Sequence, residues 1–434
     1  MFLEQVNESL WSLIFLPLFA CCGVLLLPSF RLPALRISRG KDRIDARGMR
    51  PWQAVSTALA ATVGTGNIVG TAQAVAMGGP GAVFWLWCAA FLGCAVKYTE
   101  IYQGQRHGGA VGYIREALGK IPAKCYAVLT AVSALLVGNM TQMNAAVRAL
   151  CGGAGERAVL LRLLLGLLLV GLLAVPIRGG AKAIGSSCER LVPLMSALYL
   201  LVLGYALFRF RARLPAVFGS ILREAFHPRA GLGAAGGLAL RQTLLWGLRR
   251  GAFSNEAGLG SAANIHAEVR SDHPERHAFW GVFEVFADSF LLCTLTALVL
   301  LASGVRIPLG TLPGSELLRE ALTGIYGNAA SYCFLSAALG LFAFSTVLGV
   351  YVCARRCVLW LGGERGERLY SRVFLACALL GCLLPLGFVW QLADTVNLLL
   401  SIPNLAALIL LSASTGRAFH AAAGRKRGKV PSDA

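Results

Sequence analysis

Charged residues are scarce in this sequence. Asp, Glu, Lys and Arg make up 14% of its 434 residues, whereas 56% of the residues are hydrophobic. A soluble protein usually carries about 25% charged residues, which cover the surfaces of its domains. The shortage excludes a row of soluble domains, a disordered chain and a coiled coil. It predicts a polytopic helical membrane protein.

Acidic residues and metal-binding patterns are also in short supply. The chain has 21 acidic against 40 basic residues, a net charge of +19. In a membrane protein this excess collects in cytoplasmic loops beside anionic lipid, so we expect membrane lipid and no nucleic acid as a partner. The six His are scattered, and the 13 Cys show no CxxC or zinc-like spacing. We therefore expect no cofactor, no transition metal and buried, apolar cysteines.

Eleven apolar runs are long enough to cross a bilayer at 1.5 Å per helical residue. They cover residues 10–30, 52–77, 81–104, 125–150, 158–177, 190–209, 231–262, 278–303, 328–353, 371–390 and 391–413. The residues before the first run include Glu4 and Glu8 but no Lys or Arg. Because a signal peptide needs a basic start, we expect this run to remain as a membrane helix.

The basic residues predict the orientation of the chain. Those in loops 31–50, 106–124, 178–190 and 355–372, and those in the tail 417–429, fall on one side of the eleven spans. The five Arg between 209 and 229 fall on the other side. Since basic loops face the cytoplasm, the majority places the N-terminus outside and the C-terminus inside. We expect a multi-pass protein of the plasma membrane, the bacterial inner membrane.

Two of the runs are interrupted by residues that disfavour a helix. The run 52–77 contains Gly64-Thr65-Gly66-Asn67, and two Gly one residue apart weaken a helix. A break inside the membrane survives where the freed backbone groups line a polar cavity or bind a ligand. On this segment alone, a GxxxG packing face formed by Gly66 and Gly70 explains the pattern as well.

The second interrupted run, 231–262, favours a binding site. It contains Ser254-Asn255-Glu256, and polar or ionisable residues inside a membrane segment are costly. The two breaks lie in spans two and seven, as expected for inverted repeats of five spans. Paired broken helices at matching places point to the midplane site of a transporter. The ends of the half-helices offer N–H groups to an anion and carbonyls to a hard cation such as Na⁺.

Other polar residues inside the runs leave several roles open. Glu284 and Asp288 are one helical turn apart, so they share a helix face. These carboxylates could coordinate a cation, relay a proton or join two helices. Asp288 is predicted to lie deeper in the membrane than Glu284. The hydroxyls of Ser345 and Thr346 could bind Na⁺ or could bond back to their own helix.

Three motifs resemble the sodium:alanine (alanine or glycine:cation) symporter family, of the amino acid-polyamine-cation superfamily. The stretch GGPGAVFWLW at residues 78–87 is close to its signature. The blocks TGNIVG at 65–70 and RGAFSNEAGLGS at 250–261 are similar to two further family motifs. Later similarities at residues 283–296, 342–349 and 402–405 follow in family order.

The resemblance implies an all-α, leucine-transporter-type fold with a 5+5 inverted repeat and one extra N-terminal helix. On that basis we expect the extra helix and a basic loop at 1–50, repeats at 51–210 and 211–413, and a basic tail at 414–434. It also implies sodium-coupled uptake of a small neutral amino acid, alanine or glycine, by a protein we expect to be monomeric.

The same resemblance implies the site residues. The sodium site would use the carbonyls of Ala60 and Val63 with the hydroxyls of Ser345 and Thr346. The substrate would lie between two sets of residues from the two breaks. These sets are Thr65, Gly66, Asn67 and Gln73 on one side, and Phe253, Ser254, Asn255 and Gly258 on the other. Asp288, Glu256 and Glu284 are candidate coupling carboxylates.

Three other functions stay open at this point. A proton-coupled amino-acid transporter would rely on Asp288 or Glu284, and an amino-acid sensor would bind without transport. A membrane enzyme could use Ser254 or Glu256 with Asp288. That interpretation is disfavoured because the sequence offers no His or Lys near these residues to activate a nucleophile. We therefore expect a carrier that is not an enzyme, with Na⁺ as coupling ion and no catalytic residue.

Overall fold

A computed structural model describes residues 9–29, 48–151, 158–227, 234–269, 271–307, 310, 314–384 and 387–424. The predicted basic loop at 31–47 and the last residues of the tail lie outside this part of the chain. Within the described ranges, all regular structure is helical. This agrees with the all-α class that the composition predicts.

The described residues of the first half of the chain form nine α-helices. They are α1 (Leu16–Leu26), α2 (Pro51–Thr62), α3 (Val69–Gly78), α4 (Ala82–His107), α5 (Ala110–Leu118), α6 (Lys120–Leu135), α7 (Thr141–Cys151), α8 (Ala158–Arg178) and α9 (Gly180–Arg209). The π-helical turn Trp11–Phe15 precedes α1, and Leu136–Met140 joins α6 to α7 in the same conformation.

The second half begins with a short helix outside the predicted runs. Its helices are α10 (Leu214–Phe226), α11 (Ala234–Asn255), α12 (Ser261–His266), α13 (Pro274–His277), α14 (Phe279–Val285), α15 (Thr294–Ser303), α16 (Glu316–Tyr326), α17 (Asn328–Leu383) and α18 (Gly387–Gly424). The π-helical segment Phe286–Cys293 connects α14 to α15 and carries Asp288.

Seven helices within the described residues are long and apolar enough to cross a membrane. One of them, α17, covers the predicted run 328–353 and the first part of the run 371–390, up to Leu383. Its 56 residues are interrupted at Gly363, whose backbone has φ 59° and ψ −159°. The predicted runs 10–30 and 52–77 fall on shorter helices, and the run 231–262 is divided between α11 and α12.

Both predicted breaks are present. Helix α2 ends at Val63, whose backbone is extended, and one 3₁₀ turn at Thr65–Asn67 precedes α3. Helix α11 ends at Asn255, and five residues separate it from α12. In that gap Glu256 has φ 55°, and it is the one non-glycine residue with positive φ in the described part of the chain. Such a conformation is costly for a residue with a Cβ atom and is often found at functional sites.

Small residues allow the helices around the breaks to approach closely. A Cβ atom on Gly349 of α17 would lie 2.5 Å from the backbone nitrogen of Ala61 in α2. A Cβ atom on Gly251 of α11 would lie 2.9 Å from the carbonyl oxygen of Leu86 in α4. Close backbone approach of this kind is typical of helix packing in membranes. It fixes α17 beside the first break and α4 beside the second.

We expect Gly349→Ala to destabilise the protein. The added methyl group must push α17 away from the α2 backbone, which costs about 1–3 kcal/mol, as overpacking usually does. Gly340→Ala is the matched control, because the nearest atom to its new Cβ is 3.9 Å away, on Leu150. Thermal unfolding in detergent should show a lower melting temperature for Gly349→Ala alone. Equal melting temperatures of Gly349→Ala and Gly340→Ala would contradict this close packing of α17 against α2.

Candidate binding site at the two helix breaks

The carboxylate of Asp288 is hydrogen-bonded to both breaks. Its Oδ1 accepts a hydrogen bond from Asn67 Nδ2 at 2.7 Å, and its Oδ2 accepts one from Ser254 Oγ at 2.8 Å. Ser289 Oγ donates to Oδ2 as well, at 2.8 Å. Asp288 is fully buried, and its charge is compensated by these three donors. The sequence predicted each of these groups except Ser289.

Two asparagines satisfy backbone groups that the breaks leave without helical partners. Asn67 Oδ1 accepts a hydrogen bond from the Gly64 N–H at 3.0 Å. Asn255 Oδ1 accepts one from the Ala257 N–H at 3.0 Å, and Asn255 Nδ2 donates to Ser289 Oγ at 3.3 Å. Each Asn therefore closes its own break locally and links it to the segment that carries Asp288. In a membrane such compensation is required for an irregular backbone.

Glu100 of α4 anchors the second break, and sequence reasoning missed it. Its Oε1 accepts hydrogen bonds from the Gly258 and Gly260 N–H groups, both at 2.9 Å. Asn404 Nδ2 of α18 donates to the same oxygen at 2.7 Å. The available signal was an ionisable residue inside the run 81–104, which is a functional candidate by default.

A cavity of about 70 Å³ lies between the breaks. Of the predicted substrate residues, Gly66, Phe253 and Ser254 line it. A Cβ atom on Gly66 would meet nothing within 4 Å, so the backbone faces open space at this point. The remaining lining comes from both breaks and from helices α6, α7, α17 and α18. It comprises Ala61, Thr62, Gly64, Thr130, Ser133, Ala134, Val137, Gly138, Gln142, Glu256, Leu259, Ser261, Thr346, Val350, Cys353, Asn397 and Leu400.

The other predicted substrate residues lie in or beyond the breaks. Thr65 Oγ1 donates to Gln142 Oε1 at 3.1 Å, which connects the first break to α7. Gly258, with φ 96°, uses its N–H for Glu100. Gln73 is half-buried on α3 and is not part of the cavity lining that the described residues form. Gln142 was missed, although it is a polar residue inside the run 125–150.

The four predicted sodium residues lie where α17 meets the end of α2. Thr346 Oγ1 is 3.4 Å from the Val63 carbonyl oxygen, and it also donates to the Phe342 carbonyl oxygen at 2.8 Å. Ser345 Oγ donates to that same carbonyl at 2.9 Å. Ala60 is fully buried in the last turn of α2. The hydroxyls thus bond back to their own helix, while their oxygen lone pairs can still bind a cation.

The other two candidate carboxylates have different partners from Asp288. Glu256 lines the cavity and accepts a hydrogen bond from Ser261 Oγ at 2.7 Å. Glu284 is fully buried and contacts His266 Nε2 at 2.6 Å and Lys97 Nζ at 3.5 Å. Asp288 is therefore the one of the three that is bonded to both breaks. No group of three or more His, Cys, Asp or Glu in the described residues could hold a metal ion.

Comparison with known proteins identifies the family. The profile of the sodium:alanine symporter family matches residues 1–431. The chain belongs to this family. The sodium/alanine symporter AgcS of Methanococcus maripaludis is 36% identical to it over 449 aligned positions, which cover 94% of each chain. A probable sodium/glutamine symporter, GlnT of Bacillus subtilis, is 34% identical, with 94% of this chain and 87% of GlnT covered.

Solved structures show the same fold at low sequence identity. The crystal structure of MhsT in complex with L-phenylalanine matches with a TM-score of 0.55 and 14% identity, over 88% of this chain and 93% of MhsT. An outward-open, substrate-bound Na⁺-coupled sialic acid symporter matches with a TM-score of 0.53 and 13% identity. The leucine-transporter-type fold is therefore confirmed. As a member of the sodium:alanine symporter family, the chain is a multi-pass membrane protein for cation-coupled amino-acid transport.

We expect Glu100→Ala to destabilise the second break. The change leaves three buried donors without an acceptor, at about 1–3 kcal/mol each. Glu100→Gln is the matched control, because its amide oxygen can still accept hydrogen bonds from the glycine N–H groups. The melting temperature in detergent should decrease from wild type to Glu100→Gln, and again from Glu100→Gln to Glu100→Ala. Identical melting of the Ala and Gln variants would show that Glu100 does not support the break through these bonds.

Proposed function

We propose that the protein takes up a small neutral amino acid, alanine or glycine, together with Na⁺ by alternating access. The observation that carries this proposal is the Asp288 carboxylate, which is hydrogen-bonded to both broken helices and whose donor Ser254 lines the cavity between them. Two relatives support it, because their names give a sodium/alanine and a sodium/glutamine symporter. No step requires covalent chemistry, so we assign no catalytic residue and no cofactor.

The cavity would hold the amino acid. Its volume of about 70 Å³ favours a small side chain. The substrate carboxylate would meet backbone N–H groups of the first break around Gly66, where the helix end favours an anion. Phe253 and Ser254 of the second break would contact the substrate from the opposite side. Four residues would support substrate binding indirectly, because they hold the two breaks in shape: Thr65, Asn67, Asn255 and Gly258. Gln73 would contribute least to substrate binding.

The coupling Na⁺ would bind between α2 and α17. Backbone carbonyls of Ala60 and Val63 and hydroxyls of Ser345 and Thr346 supply only oxygen ligands, which hard cations prefer. A cation there would join α17 to the end of α2, so it stabilises one arrangement of these helices over another. Asp288 would be the second coupling group. A proton-coupled mechanism, the alternative, would assign the driving ion to Asp288 or Glu284 instead.

Alternating access would follow from the repeated architecture. We assign the two repeats to residues 51–210 and 211–413, with the extra helix before them and the basic tail after them. One set of helices would rock against the other around the two breaks. We place the chain in the plasma membrane as a monomer, with its N-terminus outside and its C-terminus in the cytoplasm.

Uptake of labelled alanine and glycine into proteoliposomes tests this function. An inward Na⁺ gradient should drive uptake, whereas an equal K⁺ gradient should not. Uptake that needs a proton gradient instead of Na⁺ would assign coupling to the carboxylates Asp288 or Glu284. Amino-acid binding without uptake under any gradient would reject transport and favour the sensor.

We expect the double substitution Ser345→Ala with Thr346→Ala to abolish Na⁺-driven uptake, because it removes two of the four proposed ligands. Ser336→Ala is a matched control on the same helix, since its hydroxyl bonds to the Ala149 carbonyl oxygen, away from the breaks. The measurement is the dependence of alanine uptake on Na⁺ concentration at equal amounts of folded protein. Full uptake by the double variant would disprove this sodium site.

A further inference from the structure

Four buried side chains form a continuous polar chain that ends at the second break. Lys97 Nζ donates to the Asn255 carbonyl oxygen at 2.7 Å and lies 3.5 Å from Glu284 Oε2. Glu284 Oε1 is 2.6 Å from His266 Nε2, and His266 Nδ1 is 2.8 Å from His277 Nε2. None of the four is more than 2% exposed. Neither the sodium site nor the substrate cavity uses them.

The chemistry of the groups fixes the direction of the hydrogen bonds. Glu284 beside the Lys97 ammonium is a carboxylate, which can only accept. His266 Nε2 therefore carries a proton, and its Nδ1 accepts from His277 Nε2–H. This leaves His277 Nδ1 as a bare acceptor, and in the described structure this buried atom has no hydrogen-bond partner. The chain thus has one open end that can receive a proton.

We propose that Glu284 is a proton-binding site, reached through His277 and His266, that is separate from the sodium site. A proton binds His277 Nδ1, the proton on His277 Nε2 passes to His266 Nδ1, and the proton on His266 Nε2 passes to Glu284 Oε1. Both imidazoles end neutral, in the other tautomer, and Glu284 ends as a neutral carboxylic acid. The two hydrogen bonds of His266, to His277 and to Glu284, are kept with their direction reversed, so no imidazolium has to stay buried.

The turn that carries His277 also carries a solvent-exposed pair. The ring of His273 is 46% exposed, and its Nδ1 is 3.4 Å from Glu275 Oε1. The His277 backbone N–H donates to the His273 carbonyl oxygen at 3.1 Å, and Tyr98 of α4 donates to the Glu275 carbonyl oxygen at 3.3 Å. The open end of the chain therefore lies in a short segment that reaches the solvent.

Other charged and titratable groups surround this segment. Between residues 271 and 277, Asp272 and Arg276 are the remaining charged residues. Helix α4 contributes Lys97, Tyr102 and Arg106 beside Tyr98. Glu268, which follows α12, is paired with Arg356 of α17 at 3.2 Å, and Arg50 at the start of α2 is paired with Glu189 at 2.7 Å. Of the ionisable groups named here, Glu284 and His277 are the ones that contact His266 directly.

Protonation of Glu284 would change the charge beside the breaks. The Lys97 ammonium would lose its counterion while it still contacts the Asn255 carbonyl oxygen. One net positive charge would then lie near the second break, and its repulsion would disfavour Na⁺ at the proposed site beside the first break. We therefore expect a higher Na⁺ requirement at acidic pH. This consequence rests on the proposed sodium-coupled uptake, whereas proton binding by Glu284 does not.

The experiment compares wild type with His277→Gln. Glutamine can still donate to His266 Nδ1, but it cannot pass a proton onward. His107→Gln is the matched control, since His107 bonds the Gln103 carbonyl oxygen, outside the chain. Na⁺-driven alanine uptake is measured with equal pH on both sides of the proteoliposome, at about pH 8 and about pH 6. The Na⁺ concentration for half-maximal uptake should rise about threefold or more in wild type and His107→Gln, and should stay constant in His277→Gln.

Infrared difference spectra of the purified protein between the same two pH values give a readout that does not need transport. Wild type should show a protonated-carboxyl band at acidic pH that is absent in both Glu284→Gln and His277→Gln. The proposal is overturned if the band persists in His277→Gln, or if Glu284→Gln shows the same bands as wild type. Either result decides the matter whether or not uptake is found. No Na⁺-driven uptake in wild type would reject the proposed function, while the spectra still decide this inference. An unchanged pH dependence of uptake in His277→Gln would also overturn it.

Discussion

The carboxylate of Asp288 is the constraint on which the centre of the molecule depends. Two helices are interrupted inside the membrane, and each leaves backbone groups that water cannot reach. Asn67 and Asn255 satisfy part of this need within their own breaks, and both are bonded to the segment around Asp288. The three donors to Asp288 offset the cost of burying its charge. Neither break can therefore move alone without leaving a buried carboxylate with fewer partners.

The anchors of the two breaks differ, and this difference indicates where movement is easiest. The second break is held by Glu100 and Lys97, both on α4, so it should move with that helix. The first break has a longer polar contact with α17, the 3.4 Å separation between Thr346 Oγ1 and the Val63 carbonyl oxygen. A cation bound at this seam would strengthen the weaker of the two attachments. This is the property that ion coupling needs, because a ligand shifts an equilibrium only through its different affinity for the two states.

The sequence allowed the breaks and much of the site to be predicted, because their signals are local. Paired glycines at 64 and 66, and polar residues at 254–256, are unusual inside apolar runs and can be recognised without knowing the fold. Glu100 and Lys97 could also be recognised in the sequence, because they are charged residues inside an apolar run. Their partners, however, lie about 158 positions further along the chain. Only tertiary structure brings them together. The sharp kink of α17 at Gly363 was hidden for a related reason, since apolar runs report membrane crossings and not the geometry of the chain between them.

The buried Lys97–Glu284 pair is difficult to explain as a stabilising element alone. The cost of removing two charges from water often exceeds their attraction, and apolar residues of similar size would serve packing at least as well. The pair does not line the cavity, and the extension from Glu284 through two histidines adds further polar groups that must be desolvated. A role that needs both charges and a transferable proton accounts for the whole chain, since the two hydrogen bonds of His266 can reverse without losing a partner. Packing alone would leave the direction of those bonds, and the bare nitrogen at their end, unexplained.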